Sequence, residues 1–237
     1  MGQVAPRDAG DYLCDAMNLI LRKMVINRLP PKTLLWARFA DSIALPAGCE
    51  TGLDLGCGAG SQLPFDKMRW FGADLDFPSL LQAHRKGKYE GLVCTNVNNI
   101  ESTIRSRSVD VVVAFDFIEH LDRAQGTRII KQMEAIARDR VVILVPNGYV
   151  RQDARIVSAK PLMEHRSAWH PEDFHALGYC VKGWSGWKGF AGPGGVIRLR
   201  IDALFQILMT MSQPLVRERP DQAFHLLCWK DLGLKSV

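Results

Sequence analysis

From residue 50 onward, short apolar runs alternate with mixed segments. Thr51–Leu55, Arg69–Asp74, Gly91–Cys94, Val109–Phe115 and residues 140–145 read as strands. The stretches 109–114 and 141–145 are almost unbroken Val, Ile, Leu and Ala. Such runs predict strands buried on both faces, the mark of a parallel sheet. Residues 122–138 have helical spacing instead, with Ile129, Ile130, Met133, Ile136 and Ala137 recurring on one side. Strand–helix–strand alternation predicts an α/β fold. Upstream, residues 11–29 read as an amphipathic helix capped by Asp11, and residues 33–43 as a second helix stopped by Pro46. Downstream, the pattern is irregular from Pro146 to about Leu177. A strand is then expected at 178–184, a glycine-rich loop at 183–195, a very apolar helix at 199–211 ending before Pro214, and a last strand at 223–230.

Composition narrows the function classes. The chain has 237 residues, 47% of them apolar and 23% charged. Those are ordinary globular values, which exclude disorder, collagen-like and coiled-coil architectures. The net charge of +5 is scattered, with no long Lys/Arg run, so no nucleic-acid partner is expected. Six cysteines include no Cys-x-x-Cys pair and no zinc spacing, as for reduced thiols in a cytoplasmic protein. Asp8, Asp11 and Asp15 break the N-terminus, so no signal peptide is expected. The most apolar stretch, 203–211, falls far short of the roughly 20 residues a membrane span needs.

The strongest chemical signal is Leu53-Asp54-Leu55-Gly56-Cys57-Gly58-Ala59-Gly60, a strand running into a turn with glycine at alternate positions. Glycine lets the backbone bend sharply and lets a ligand approach without meeting a Cβ. At the carboxyl end of the first strand of an open α/β sheet, such a turn marks the ligand crevice. Asp74, at the end of the second strand, suits the two hydroxyls of a ribose. The dinucleotide fingerprint is Gly-x-Gly-x-x-Gly, but Ser61 stands at its last position. Asp54 just before the turn would repel a pyrophosphate and favour a cationic, amino-bearing ligand. S-adenosylmethionine has both the adenosine and the amine.

Taken in order, Leu53–Gly60, Gly72–Asp76, residues 109–121 and residues 141–148 resemble the class I S-adenosylmethionine-dependent methyltransferases. They are most similar to the bacterial small-molecule branch with Glu-His-Leu after strand four. The resemblance implies a Rossmann-like sheet of seven strands, mostly parallel, with helices on both faces and the last strand antiparallel. It implies one methyltransferase domain over 1–237: N-terminal helices (1–48), a cofactor core (49–148), then a substrate-cover segment and the last strands (149–237). It also implies a cofactor site made of Asp54, Gly56, Cys57, Gly58, Asp74, Leu75, Asn96, Val97 and Asp116. Asp54 would reach the amino group, Asp74 the ribose and Leu75 the adenine, while Asp116 would line the methionine end. Asn96 stands where the family often has Asp. The first helix should be short or distorted, because Pro64 interrupts the few residues before the second strand.

Asp116, Glu119 and His120 cluster after a buried strand, where α/β enzymes place their chemistry. His120 is a candidate base for an acceptor hydroxyl. The trio is also similar to the Glu-x-x-Glu-His spacing of metal-dependent ubiquinone-type and small-RNA methyltransferases, which would suit magnesium. Glu-His occurs widely in this branch without metal, so no metal is expected and a pocket role is preferred. Further on, His165, Arg166 and Trp169 are candidates for a substrate wall, His165 also as a catalytic group. For Trp169 the alternative is plain core packing. Arg151, Arg155, Lys160 and Arg166 outnumber Asp153 and Glu164, which hints at an anionic acceptor or simply a solvated surface. Residues 147–177 and 183–195 have the composition of a cover over the cleft. The apolar helix 199–211 leaves three placements open: buried, in a homodimer interface, or beside a lipid-like substrate. The reading is methyl transfer to a small-molecule oxygen or carbon acceptor; the alternatives are an RNA or protein methyltransferase, or cofactor binding without turnover.

Overall fold

A computed structural model describes residues 45–61, 63–152, 157–158, 161–190 and 202–233. The helices expected at 11–29 and 33–43, the stretch 191–201, and Asp153, Arg155 and Lys160 lie outside the described residues. The sheet has seven strands: β1 (Thr51–Leu55), β2 (Arg69–Asp74), β3 (Gly91–Cys94), β4 (Val109–Phe115), β5 (Ala137–Pro146), β6 (Cys180–Trp187) and β7 (Ala223–Asp231). Their spatial order is β3-β2-β1-β4-β5-β7-β6. β1 to β5 pair in parallel, while β7 runs antiparallel between β5 and β6. Helices α1 (Phe77–Arg85), α2 (Ile100–Thr103), α3 (Arg123–Ile136), α4 (Pro171–Ala176) and α5 (Asp202–Val216) connect them.

The two-sided burial read from the apolar runs is present. Alternate residues of β4 and β5 serve two different cores. Val112, Ala114, Val141, Ile143 and Val145 pack with Ile129, Ile130 and Met133 of α3 on one face. Val111, Val113, Phe115, Val142 and Leu144 pack with Trp70 and Leu227 on the other. At the amino edge, Asp110 accepts from the Glu50 and Thr51 amides at 2.9 Å and from Arg138 Nε at 2.8 Å. Burial alone would raise its carboxyl, but these donors hold it well below the usual range.

Several boundaries differ from the sequence reading. Between β1 and β2 the described residues form turns, without the short helix expected there; Pro64 supplies no N–H and its carbonyl accepts from Lys67 N. β6 runs on to Trp187 through positive φ at Ser185 and Gly186. There Gln213 Oε1 and Ser212 Oγ of α5 accept from the amides of Gly186 and Trp187. Gly183 and Gly186 therefore belong to the sheet, and not to a glycine-rich cover. A Cβ on Gly183 would sit 2.0 Å from the Val216 carbonyl oxygen, and one on Gly186 2.2 Å from that of Met209. Here glycine allows a helix to lie directly on a strand. α5 continues through Pro214 instead of ending before it, because its last turns are held against β6. It is not buried all round: Met209 is covered, but Met211 and Leu215 are each 72% exposed. No helix among the described residues is long and apolar enough to cross a membrane.

α3 is capped by Asp122, whose side chain accepts from Gln125 N at 2.8 Å. Its Gly126 faces the fully buried Trp169, whose ring would lie 2.6 Å from an added Cβ. Helix propensity alone favours Ala over Gly by about 1 kcal/mol. Overpacking a closed core costs about 1–3 kcal/mol and works in the opposite direction. Gly126→Ala is therefore expected to lower Tm by several degrees in calorimetry, and a rise would show that the ring is not confined.

Candidate active site at the carboxyl edge of the sheet

The glycine turn leaves β1 where the strand order reverses, between β2 on one side and β4 on the other. Gly56, Gly58 and Gly60 have φ of +75°, +49° and +103°, which side chains rarely adopt. Gly56 lies under the Phe117 ring, 2.2 Å from where its Cβ would be, whereas a Cβ on Gly58 would meet nothing within 4 Å. The turn is tied back by the amides of Gly56 and Cys57, both donating to the Ala73 carbonyl. The Asp74 carboxylate accepts from Gly58 N and from Asp76 N, each at 2.7 Å. Asp74 thus clamps the turn while each oxygen keeps a further lone pair.

Asp54 is completely buried. Its Oδ2 accepts from the Tyr89 hydroxyl at 2.5 Å, and that hydroxyl accepts from Ser61 N at 3.0 Å. Its Oδ1 has no hydrogen-bond partner among the described residues. Burial pushes the Asp54 carboxyl up to about 6, with hydrogen bonding from Tyr89 partly offsetting the rise. Tyr89 and Cys57 are pushed up by burial too, and the Asp54 charge adds to both.

A second polar cluster follows β4. Asp116 has φ +48° and turns its exposed carboxylate toward His225, with Oδ1 3.4 Å from Nε2. Glu119 is buried, and neither of its carboxylate oxygens has a partner among the described residues. Burial, then the neighbouring Asp116 charge, raises its carboxyl well above the usual range. The segment before α4 docks on this turn. Arg166 N and Ser167 N both donate to the Glu119 carbonyl, at 2.7 and 3.1 Å, and His120 Nδ1 lies 3.1 Å from the Glu164 carbonyl. His165 is thereby brought edge-on to His120, with ring centroids 4.9 Å apart. Burial, then the nearness of His120, lowers the pKa of His165 and favours its neutral form.

The profile of the methyltransferase-domain family matches residues 53–150, the span holding both clusters. No curated protein sequence matches the chain. Among solved structures, an S-adenosylmethionine-dependent methyltransferase from Archaeoglobus fulgidus superposes with a TM-score of 0.56 at 16% identity, over 90% of this chain and 98% of that one. The plantazolicin methyltransferase BpumL, in complex with a pentazolic desmethylPZN analog and SAH, gives 0.52 at 17%, over 89% of each chain. The small RNA methyltransferase HEN1 gives 0.51 at 16%, over 83% of this chain and 25% of that one. Residues 53–150 thus match a methyltransferase-domain family, and the chain shares the fold of these S-adenosylmethionine-dependent methyltransferases.

Within this fold, the other residues singled out in the sequence fall as follows. Leu75 is exposed just after β2, and the half-buried Val97 follows Asn96 at the start of the turn Val97–Asn99. Asn96 uses its side-chain carbonyl to cap the turn Val97–Asn99, accepting from Asn98 N at 2.9 Å. Its amide N–H groups and the remaining lone pair of that oxygen are left to meet a ligand. Trp169 is not part of a substrate wall: it is fully buried, donates to Ser167 Oγ and carries the Arg123 guanidinium over its ring. Tyr89 and His225 were missed by sequence reasoning. Neither lies in a motif, and each reaches the edge of the sheet only through the fold.

The buried Asp54 makes a signed pH prediction. Its folded pKa is raised, so its contribution favours folding below about pH 4 and is lost as pH rises through about 6. At neutral pH the ionised group costs on the order of 3 kcal/mol. Asp54→Asn keeps an acceptor for Tyr89 and removes the charge. In urea denaturation of the ligand-free protein, the variant is expected to be more stable than wild type at pH 8, by about 1 kcal/mol more than at pH 5. Equal differences at the two pH values would mean that Asp54 is not buried as an ion.

Proposed function

We propose that this methyltransferase transfers the methyl group of S-adenosylmethionine to an oxygen or carbon nucleophile of a small-molecule acceptor, with 1–237 acting as one domain. The observation that carries the cofactor half is the unpartnered, buried oxygen of Asp54 beside the open face of Gly58. The residues present fit the cofactor. Asp54 draws its amino group, directly or through water, and so regains in the complex the stabilisation its burial removes. Gly56, Cys57 and Gly58 let the methionine part pass close to the backbone. Asp74 accepts from the ribose while still holding Gly58 N, so one carboxylate couples ribose recognition to the shape of the turn. Leu75, Asn96 and Val97 flank the adenine, and Asp116 borders the methionine end.

When bound, the cofactor supplies an activated methyl on a sulfonium, which needs alignment more than covalent help. Alignment falls to the acceptor side, where we place His120, His165 and Arg166. The docking of residues 164–167 on the Glu119 carbonyl supports a small acceptor. It draws the segment down onto the carboxyl edge beside β4, which narrows the approach a folded macromolecule would require.

The division is testable without knowing the acceptor. In calorimetric titration, S-adenosylhomocysteine is expected to bind and NAD not to bind. Asp74→Ala should weaken the former at least tenfold, since losing a charge-assisted hydrogen bond costs about 1.5–3 kcal/mol. Arg166→Ala should stay within twofold of wild type. Tight NAD binding without S-adenosylhomocysteine binding would overturn the assignment. Loss of binding in the Arg166 variant would move segment 164–167 into the cofactor site.

A further inference from the structure

We infer that Glu119, His120 and His165 form a binding site for a divalent transition-metal ion, on the acceptor side of the cofactor pocket. The inference deepens the reading of His120 and His165 as acceptor-side groups. It departs from the expectation that no metal is bound.

The three side chains come from two segments 45 residues apart in sequence, yet one ligand atom from each lies within 4.8 Å of the others. An ion about 2.1 Å from each donor would draw them to roughly 3.4 Å apart, a small closure for side chains at the ends of loops. The buried Glu119 carboxylate supplies the reason for one. Both oxygens lack a partner among the described residues, and an isolated buried carboxylate is costly unless it is protonated, paired or bound to a cation. Its own backbone carbonyl holds the amides of Arg166 and Ser167, so the bond that buries Glu119 also delivers His165.

The His120 imidazole is held as metal-ligating imidazoles are. His120 Nδ1 is 3.1 Å from the Glu164 carbonyl. A ring N–H given to a carbonyl fixes the tautomer and leaves the other nitrogen's lone pair free for an ion. Two imidazole nitrogens and one carboxylate suit zinc, manganese, cobalt or ferrous iron better than magnesium or calcium, which prefer all-oxygen sets. Asp116 is left out: it is exposed and faces His225. Three protein ligands leave at least one position open, which is the pattern of a site that binds substrate and not of a closed structural one.

The full-length chain, free of added histidines and stripped with a chelator, is titrated with Co²⁺ while visible absorption and heat are followed. One saturable equivalent with a d–d band is expected. Glu119→Gln and His165→Ala should each weaken it at least tenfold, and His175→Ala, at an exposed histidine of α4, should not. S-adenosylhomocysteine titrated into the same samples reports the fold and the cofactor end. If it binds wild type while Co²⁺ does not, the metal site is overturned and the methyltransferase reading stands. Co²⁺ binding undiminished in both variants also overturns the site. If His165→Ala or Glu119→Gln loses S-adenosylhomocysteine as well, His165→Asn replaces it, and undiminished Co²⁺ binding there has the same consequence.

Discussion

The reversal of strand order beside β1 is the constraint on which the rest depends. β1 pairs in parallel with β2 on one side and β4 on the other, so successive crossovers leave its carboxyl end toward opposite sides. A gap must open there. The central strands are buried on both faces and are filled with Val, Ile, Leu and Ala. Polar side chains can then stand in numbers only at the strand ends. The glycine turn, Asp74 and the Asp116–His120 turn are all continuations of strands that meet at this gap.

Two buried carboxylates give the edge its character. Asp54 and Glu119 each lie out of water with oxygens lacking partners, and burial shifts both toward the protonated form. A fold selected for stability alone would replace such groups with apolar ones. By our proposals each waits for positive charge: the cofactor amine beside Asp54 and a metal ion beside Glu119. The hydrogen-bonding of Tyr89 and of the Arg166 and Ser167 amides holds the two sites in shape before either ligand arrives.

Much of this was legible in the chain because strand ends are local features. An apolar run followed by Gly56-Cys57-Gly58-Ala59-Gly60 carries its own geometry: positive φ requires glycine wherever the turn occurs. Asp74 and the Asp116–His120 turn likewise sit at the ends of runs whose two-sided burial is written in their composition. The glycines of β6 were misread for the complementary reason. A glycine needed for a turn and a glycine needed for close approach by a helix look identical until the helix is in place, as Gly183 and Gly186 show against Val216 and Met209.

By itself, therefore, the sequence determined the parallel α/β core, the glycine turn, the acid at the end of β2 and the polar turn after β4, since each depends on neighbours a few positions away. Only the tertiary structure decided which distant groups share a site. Tyr89 meets Asp54 across 35 positions, and His225 meets Asp116 because β7 runs antiparallel against β5. His165 meets Glu119 and His120 because two backbone amides bond to one carbonyl. Contacts of that kind follow from strand order and loop docking, which no local periodicity encodes.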